Sequence, residues 1–318
     1  MRGKAAAVQR ETPEVSVVIP CYNEQENVET IVAAVGDELQ RAGVTYEIVL
    51  IDNASTDETV DLALALCAAD SRVKLIANNR NYGQLRSPTY GIFQATGQAV
   101  IAMCADFQDP PSLLGVFIDK WKAGAPIVLG IGSGEGQQTS ALHGLLRNTA
   151  YGFLNRFADY EVIPGATGFG IYDRKVVDEL ARWNEPEPFF RGMLVESGYA
   201  ITLVPYERPR RAAGKSKNNW ATLIRFGLSG LAASSKDLLR LPFYVAIAVG
   251  GLFGLTVLGA IIALVLGHGT GLWLIAMLIE IGFGLLFVFL GLMGEQVRLI
   301  SERTRSTPLV IEKLRVNF

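Results

Sequence analysis

The sequence predicts an α/β protein: a mainly parallel sheet with helices on both faces, followed by a C-terminal two-helix transmembrane hairpin. Three observations carry this. Short β-branched runs recur through the first part of the chain, and helix-like stretches separate them, an alternation that demands crossover connections and hence a parallel sheet. The third is apolar weight at the far end: from Leu241 to Gly294 the only formal charge is Glu280.

The strand-like runs are "VSVVIP" (Val15 to Pro20), "YEIVLID" (Tyr46 to Asp52), "VKLIA" (Val73 to Ala77), "AVIAMC" (Ala99 to Cys104) and "PIVLGI" (Pro126 to Ile131). Between them, Glu24 to Leu39 follows Asn23, a good helix cap, with acids in its first turn. "STDE" at Ser55 to Glu58 has capping-box spacing and predicts a helix to about Ala69. Gln84 to Thr96 predicts a third, closed by Gly97. Phe243 to Leu266 and Gly271 to Gly294 are each long enough for a bilayer core, which takes roughly 20 apolar residues, and "GHGTG" turns between them. Basic residues flank the pair and none lies in the turn, which puts both ends on the cytoplasmic side.

The resulting organisation is a flexible polar tail over 1–14, a catalytic domain over 15–215, a juxtamembrane amphipathic helix over 216–241 (Trp220, Leu223, Ile224, Leu228 and Leu231 at helical spacing), the hairpin over 242–294, and a C-terminal tail over 295–318. Half of the 318 residues are hydrophobic and the net charge is −2, which excludes the basic excess a nucleic-acid partner would need. Three cysteines, Cys21, Cys67 and Cys104, have no disulfide or metal-ligand pattern and fit a reducing compartment.

Ligands of open α/β sheets bind outside the carboxyl ends of the strands. Asp52, Asp106 and the "CYNE" stretch after the first strand all fall there. "MCADFQDPP" drops from a strand end into Asp106, Gln108 and Asp109, where acidic residues can hold a cation against a phosphate. Cations follow the strand-like "AITLVPY": Arg208, Arg210, Arg211, Lys215 and Lys217. They suit a diphosphate or lipid-phosphate clamp, Arg as a fork and Lys as a point charge, and equally an anionic membrane surface. Arg147, beyond the glycine-rich loop, is a further candidate of this kind. "GIGSGEG" (Gly130 to Gly136) is not a dinucleotide fingerprint, because it follows the fifth strand and no acid lies at the expected distance; it reads as an active-site loop. No carboxylate pair marks a glycosidase, and His143 and His268 have no partner set.

"VSVVIPCYNEQENV", "YEIVLIDNASTDET", "NRNYGQ", "ATGQAVIAMCADFQDPP", "TGFGIYDRK" and "RPRRAAGKSKNN" occur in this order. With the paired apolar spans, the series resembles the polyprenyl-phosphate glycosyltransferases, dolichol-phosphate mannose synthase-like members of the family 2 inverting glycosyltransferases with a GT-A fold. The resemblance implies transfer of a sugar from a nucleotide diphosphate sugar, a UDP-sugar by the "DFQDPP" pattern, to polyprenyl (undecaprenyl) phosphate at a bacterial cytoplasmic membrane. It implies that Pro20, Tyr22, Asn23, Glu24, Asp52 and Asn53 line the nucleoside pocket and that Asp106 and Gln108 hold Mg²⁺ or Mn²⁺. The family usually writes Asp-x-Asp-x-Gln where this chain has Cys104, Asp106 and Gln108. A thiol is a poor ligand for a hard ion, so the expectation is a thinned but working metal site. Relatives often keep an acid near "TGFGIYDRK", where this chain has Gly168 and Gly170; Asp109 is the fallback base. A lapsed, binding-only scaffold and a processive polysaccharide synthase are the rival readings. Ala246, Gly250 and Gly254 form a small-residue stripe, and a mid-span Glu280 calls for shelter from lipid, which together predict a homo-oligomer.

Overall fold

The computed structural model describes residues 12–133, 163, 165–183, 185–186, 188–209, 258–259, 271–304 and 308–318. Among them runs the chain β1 (Val15–Cys21), α1 (Val28–Arg41), β2 (Tyr46–Asp52), α2 (Thr59–Ala69), β3 (Val73–Asn78), α3 (Gly83–Gln94), β4 (Ala99–Ala102), a short 3₁₀ turn and α4 (Leu114–Lys122). It continues as β5 (Ile127–Ser133), β6 (Ala166–Asp173), α5 (Arg174–Ala181), α6 (Phe190–Glu196), β7 (Ile201–Glu207), α7 (Gly271–Thr304) and β8 (Glu312–Val316).

The eight strands form one sheet in the order β7-β5-β6-β4-β1-β2-β3-β8. β4, β1, β2 and β3 are mutually parallel. Their side chains alternate between two cores, as a doubly covered sheet requires. Val15, Val17 and Ile19 of β1 pack with Val28, Ile31 and Val35 of α1 and Phe117 of α4. Val18, Val49 and Ile51 face the other side, with Ile92 of α3, Val176 of α5 and Leu194 of α6. Burying each such side chain is worth about 1.5–3 kcal/mol, so the parallel centre is a firmly packed base for the loops at its rim. The chain leaves β1 toward β2 on one side and later returns to β4 on the other. The crevice at the carboxyl ends of β1 and β4 is therefore the topological switch point.

The expected α/β class with a mainly parallel sheet is what forms, and four of its details differ. β6 enters antiparallel between β4 and β5. Its "ATGFGIYD" is too glycine-rich to read as a strand, yet one of those glycines is what lets the backbones approach: a Cβ on Gly170 would lie 2.2 Å from the Val128 carbonyl oxygen. The first helix starts at Val28, and Asn23 does not cap it; Asn23 takes a left-handed φ of 55°. The helix expected from Gln84 starts at Gly83 and ends at Gln94.

The fourth correction concerns 295–318, expected to be a tail. Its first residues continue α7 to Thr304, and its end is β8, antiparallel to β3. "EKLRV" reads as polar tail because an edge strand carries charge on its open side. Pairing is secured by Asn79 N–H to the Ile311 carbonyl at 3.0 Å and by Asn317 Nδ2, which donates to the Cys67 and Val73 carbonyls at 2.8 Å each.

Contacts divide the chain into two compact units. One comprises 1–147, 163–217 and 307–318 and holds the whole sheet; the other comprises 148–162 and 218–306 and holds α7. The second expected span, Gly271–Gly294, lies within α7, whereas the first, like the juxtamembrane helix 216–241, lies outside the described residues save Leu258 and Gly259. Among the described residues no helix is long and apolar enough to cross a membrane.

Candidate active site

The carboxyl rim of the sheet carries two polar clusters, one on each side of the switch point. The first follows β1 and β2. Asp52 is 1% exposed and ends β2. Its carboxylate accepts from the Ser55 amide at 3.0 Å and from the Ser55 hydroxyl. Burial pushes the Asp52 carboxyl above the ordinary aspartate range, against the opposing pull of Ser55 and the Ala54 amide. The Ser55 hydroxyl in turn accepts from the Asn23 amide at 2.8 Å, and Asn23 Oδ1 accepts from the Thr56 amide at 2.8 Å. Glu24 N–H donates to Thr59 Oγ1 at 2.9 Å. The loops after β1 and β2 are thus stitched together by Asn23, Glu24 and Asp52.

Asn53 extends the stitching to the next strand. Its amide donates to the Cys21 carbonyl at 2.9 Å, and its side chain bonds Asn81 Oδ1 at 3.0 Å, the Gly83 carbonyl and the Tyr82 amide. Asn78, whose side-chain amide donates to Asn53 Oδ1 at 3.2 Å, belongs to this wall together with Asn81 and Tyr82 of "NRNYGQ". Tyr22 stands 36% exposed at the edge, with Pro20 half-buried beside it. A part-exposed aromatic beside fixed carboxylate and amide groups is the chemistry that suits a flat, polar-edged base.

The second cluster follows β4. Asp106 is 3% exposed and accepts from the Gln108 amide at 3.1 Å. Phe107 between them adopts φ 60°, a left-handed conformation costing about 1–2 kcal/mol for a residue with a Cβ. Asp109 is 1% exposed and closes the loop on itself: Oδ2 accepts from the Cys104 amide at 2.9 Å and Oδ1 from the Tyr206 hydroxyl at 3.1 Å. Burial raises the Asp109 carboxyl, with the Cys104 amide and Arg208 pulling the other way. Burial also pushes the Cys104 thiol well up, helped by the nearby Asp109 and Asp106. A thiol is a soft group and a poor partner for a hard ion, so Cys104 does not replace a carboxylate as a metal ligand.

Arg208, one residue beyond β7, reaches this loop: Nη2 donates to Gln108 Oε1 at 3.2 Å, and its buried Nε has no hydrogen-bond partner among the described residues. A buried donor without an acceptor is costly and rare; an anion bound here would supply one. The strand register explains how Arg208 gets there. Gly132 pairs with Tyr206 across β5 and β7, and this register brings the Arg208 stem alongside Gly132. The "GIG" of the glycine-rich motif is thus strand, and at Gly130 it is packed tightly, since a Cβ there would lie 3.0 Å from Tyr206 Cε1. A residue absent from the sequence reading, Arg191, sits at the same rim, donating to the Ala166 carbonyl at 2.9 Å with its stem against Gly168. Gly170 has no room for an acidic side chain. Arg147, Arg210, Arg211, Lys215 and Lys217 lie outside the described residues.

A profile of the family described as Glycosyl transferase family 2 matches residues 16–181. An uncharacterized glycosyltransferase of Synechocystis sp. is 30% identical over 310 residues, covering 94% of this chain and 95% of the relative. The bactoprenol glucosyl transferase of Shigella phage SfX is 29% identical, covering 95% of this chain and 99% of its own. Among solved structures, the glucosyl-3-phosphoglycerate synthase of Mycobacterium tuberculosis, solved with Mn²⁺, UDP-glucose and phosphoglyceric acid, is similar with a TM-score of 0.50 at 14% identity, over 70% of this chain and 79% of that one; at that identity the likeness concerns the fold, which is GT-A-like. The family match over β1 to α5 takes in Tyr22, Asp52, Asp106 and Asp109 of the two rim clusters, and it agrees with the geometry: the chain belongs to the family 2 glycosyl transferases and is a glycosyltransferase.

Proposed function

We propose that the enzyme transfers a sugar from a UDP-sugar to polyprenyl phosphate, with inversion, at the cytoplasmic surface of a bacterial inner membrane. The observation that carries the acceptor is the likeness to a bactoprenol glucosyl transferase over 95% of this chain, a span that takes in the apolar stretch 242–294 and so extends well beyond the sugar-nucleotide domain. By length and apolar composition alone, the sequence of that stretch suits two bilayer spans, and the stripe of Ala246, Gly250 and Gly254 with Glu280 supports association of several copies in the membrane.

In this reading Tyr22 stacks on the uracil, and Pro20, Asn23, Glu24, Asp52 and Asn53 shape the nucleoside pocket. The diphosphate lies toward Asp106, Gln108 and Arg208, with Arg147, Arg210, Arg211, Lys215 and Lys217 as further cations. The donor set at the loop suits Mg²⁺ or Mn²⁺: Asp106 and Gln108 offer hard oxygens, while Cys104 is a soft thiol. Among the described residues no three metal-ligating side chains cluster, which fits an ion that takes few protein ligands and completes its shell with phosphate oxygens and water. When bound, the ion would neutralise charge on the departing diphosphate. Arg208 adds a fixed positive charge where that negative charge grows. No side-chain base is required. A phosphate monoester is largely dianionic at neutral pH, its second pKa being about 6, and it can attack the anomeric carbon from the face opposite the leaving group. Both oxygens of Asp109 are already engaged.

The test is a panel of nucleotide sugars incubated with purified enzyme, Mn²⁺ and polyprenyl phosphate, with glycolipid read by mass spectrometry. A glycosylated polyprenyl phosphate from a UDP-sugar is the expected product. Turnover of the sugar nucleotide to a soluble product, with the lipid unmodified, would overturn the acceptor assignment.

A further inference from the structure

Asp109 was a candidate base, but its surroundings assign it different work. Loop Cys104–Asp109 has to hold Asp106 and Gln108 in register while Phe107 sits in a left-handed conformation. One tie to the Arg208 segment is the Gln108 side chain, which accepts from Arg208 Nη2, but that contact holds only the tip of the loop. Asp109 makes the other: one oxygen takes the Cys104 amide at the start of the loop, the other takes the hydroxyl of Tyr206 on β7, two residues before Arg208. Tyr206 is a rigid post. Its ring stands edge-on to Phe169 with centroids 5.7 Å apart, and a Cβ on Gly130 would come within 3.0 Å of its Cε1. The post therefore fixes where the hydroxyl lies, and through Asp109 it fixes the loop. The same arrangement sets the Gln108 to Arg208 contact at 3.2 Å.

We infer that Asp109 is a positioning residue, a clamp that fastens the diphosphate loop of β4 to the Arg208 strand through Tyr206, so that Asp106 and Arg208 face one anion together. The inference rests on reading this loop as the diphosphate and metal site. It predicts that geometry, and not the charge of Asp109, is what matters. Asparagine can reproduce both contacts, with Oδ1 accepting from the Cys104 amide and Nδ2 donating to the Tyr206 oxygen, which then acts as acceptor. Alanine loses both.

The experiment measures UDP affinity by calorimetry with and without Mn²⁺, which needs no acceptor, and then the pH profile of sugar transfer, for wild type, Asp109→Asn, Asp109→Ala and Tyr206→Phe. Asp109→Asn should stay within about threefold of wild type in Mn²⁺-dependent UDP affinity and keep its pH profile, because the hydrogen bonds survive. Asp109→Ala should weaken that affinity about 10–100-fold, the usual cost of losing a group that orients a ligand. Tyr206→Phe removes one of the two bonds and should cost roughly fivefold; it decides the matter if Asp109→Ala does not fold by circular dichroism. The clamp is overturned if wild type binds Mn²⁺ and UDP and both Asp109→Ala and Tyr206→Phe bind as well as it does. It is also overturned if Asp109→Asn loses transfer as completely as Asp109→Ala while binding normally, the signature of a base. A wild type with no Mn²⁺-dependent UDP affinity at all would instead refute the reading of the site, and the clamp with it.

Discussion

At the scale of single residues, the strand-end loop is where chemistry and sequence diverge most usefully. Cys104 stands where the family resemblance leads one to expect an acid, and burial, with Asp109 and Asp106 nearby, raises its thiol. Cys104→Ala should therefore change turnover by less than about threefold, since the expected loss is one small buried contact. Asp106→Asn removes the carboxylate of the loop assigned to the cation, and should lower transfer by a factor of about 10² or more, the scale of losing one electrostatic stabiliser of a developing anion. Rates for both variants over a range of Mn²⁺ concentrations check this. If Cys104→Ala proves inactive while Asp106→Asn is not, the ligand assignment is wrong. The residues at strand ends were legible in the sequence, because Asp52, Asp106 and "CYNE" all follow apolar runs that can only be strands. Tyr206 and Arg191 were not. Each sits in a segment whose local pattern says nothing of the loop it faces, and only the insertion of β6 between β4 and β5 brings those segments to one rim.

At the scale of elements, helices and parallel strands were legible because their apolar periodicity is their cause of folding, whereas β6 and β8 were hidden by glycine and by charge. A buried ion pair shows what else the pattern conceals. Glu47 on β2 and Lys74 on β3 are bonded side by side at the amino end of the sheet, with the Glu47 side chain 3% exposed. Glu47 also accepts from Ser16 Oγ at 2.6 Å and the Thr96 amide at 2.7 Å. Burial alone would raise its carboxyl, but Lys74, Ser16 and Thr96 outweigh burial and hold it below its ordinary value of 4.5. The folded state then binds fewer protons than the unfolded chain, so this contribution is present above about pH 4.5 and disappears as pH falls through the lower folded value. Glu47→Gln should cost about 3 kcal/mol near neutral pH by leaving Lys74 unpaired, and the gap from wild type should narrow in acid; urea titrations at pH 7 and pH 4 measure both. Just beyond β8, Asn317 holds φ 66° while its side chain bonds two carbonyls. Asn317→Ala loses both bonds and strains the backbone, a cost of about 2–3 kcal/mol, visible as a lower thermal midpoint.

At the scale of the whole molecule, composition foretold a protein of two characters, an α/β catalytic part and an apolar part, and six ordered motifs foretold the family. What escaped was how the far end of the chain is used, since nothing local in "IEKLRVNF" announces a partner strand. That strand has a consequence for how the molecule is made. Asn317 reaches Val73 across 244 residues of chain, so while a ribosome is still translating 242–294, the strand that will cover β3 does not yet exist. Until it does, Leu75, Ile76 and Ala77 present an open hydrogen-bonding edge, a template for mispairing. Completion of the catalytic sheet is thereby placed after synthesis of the apolar stretch, and contacts this distant in sequence form slowly. Nascent chains stalled before residue 308 should be cleaved by protease around β3, and chains carried through residue 318 should resist. Equal resistance in both would show that the sheet matures without its eighth strand. Timing of this kind would keep a half-built transferase from settling as a free-standing domain before its apolar segment has been delivered.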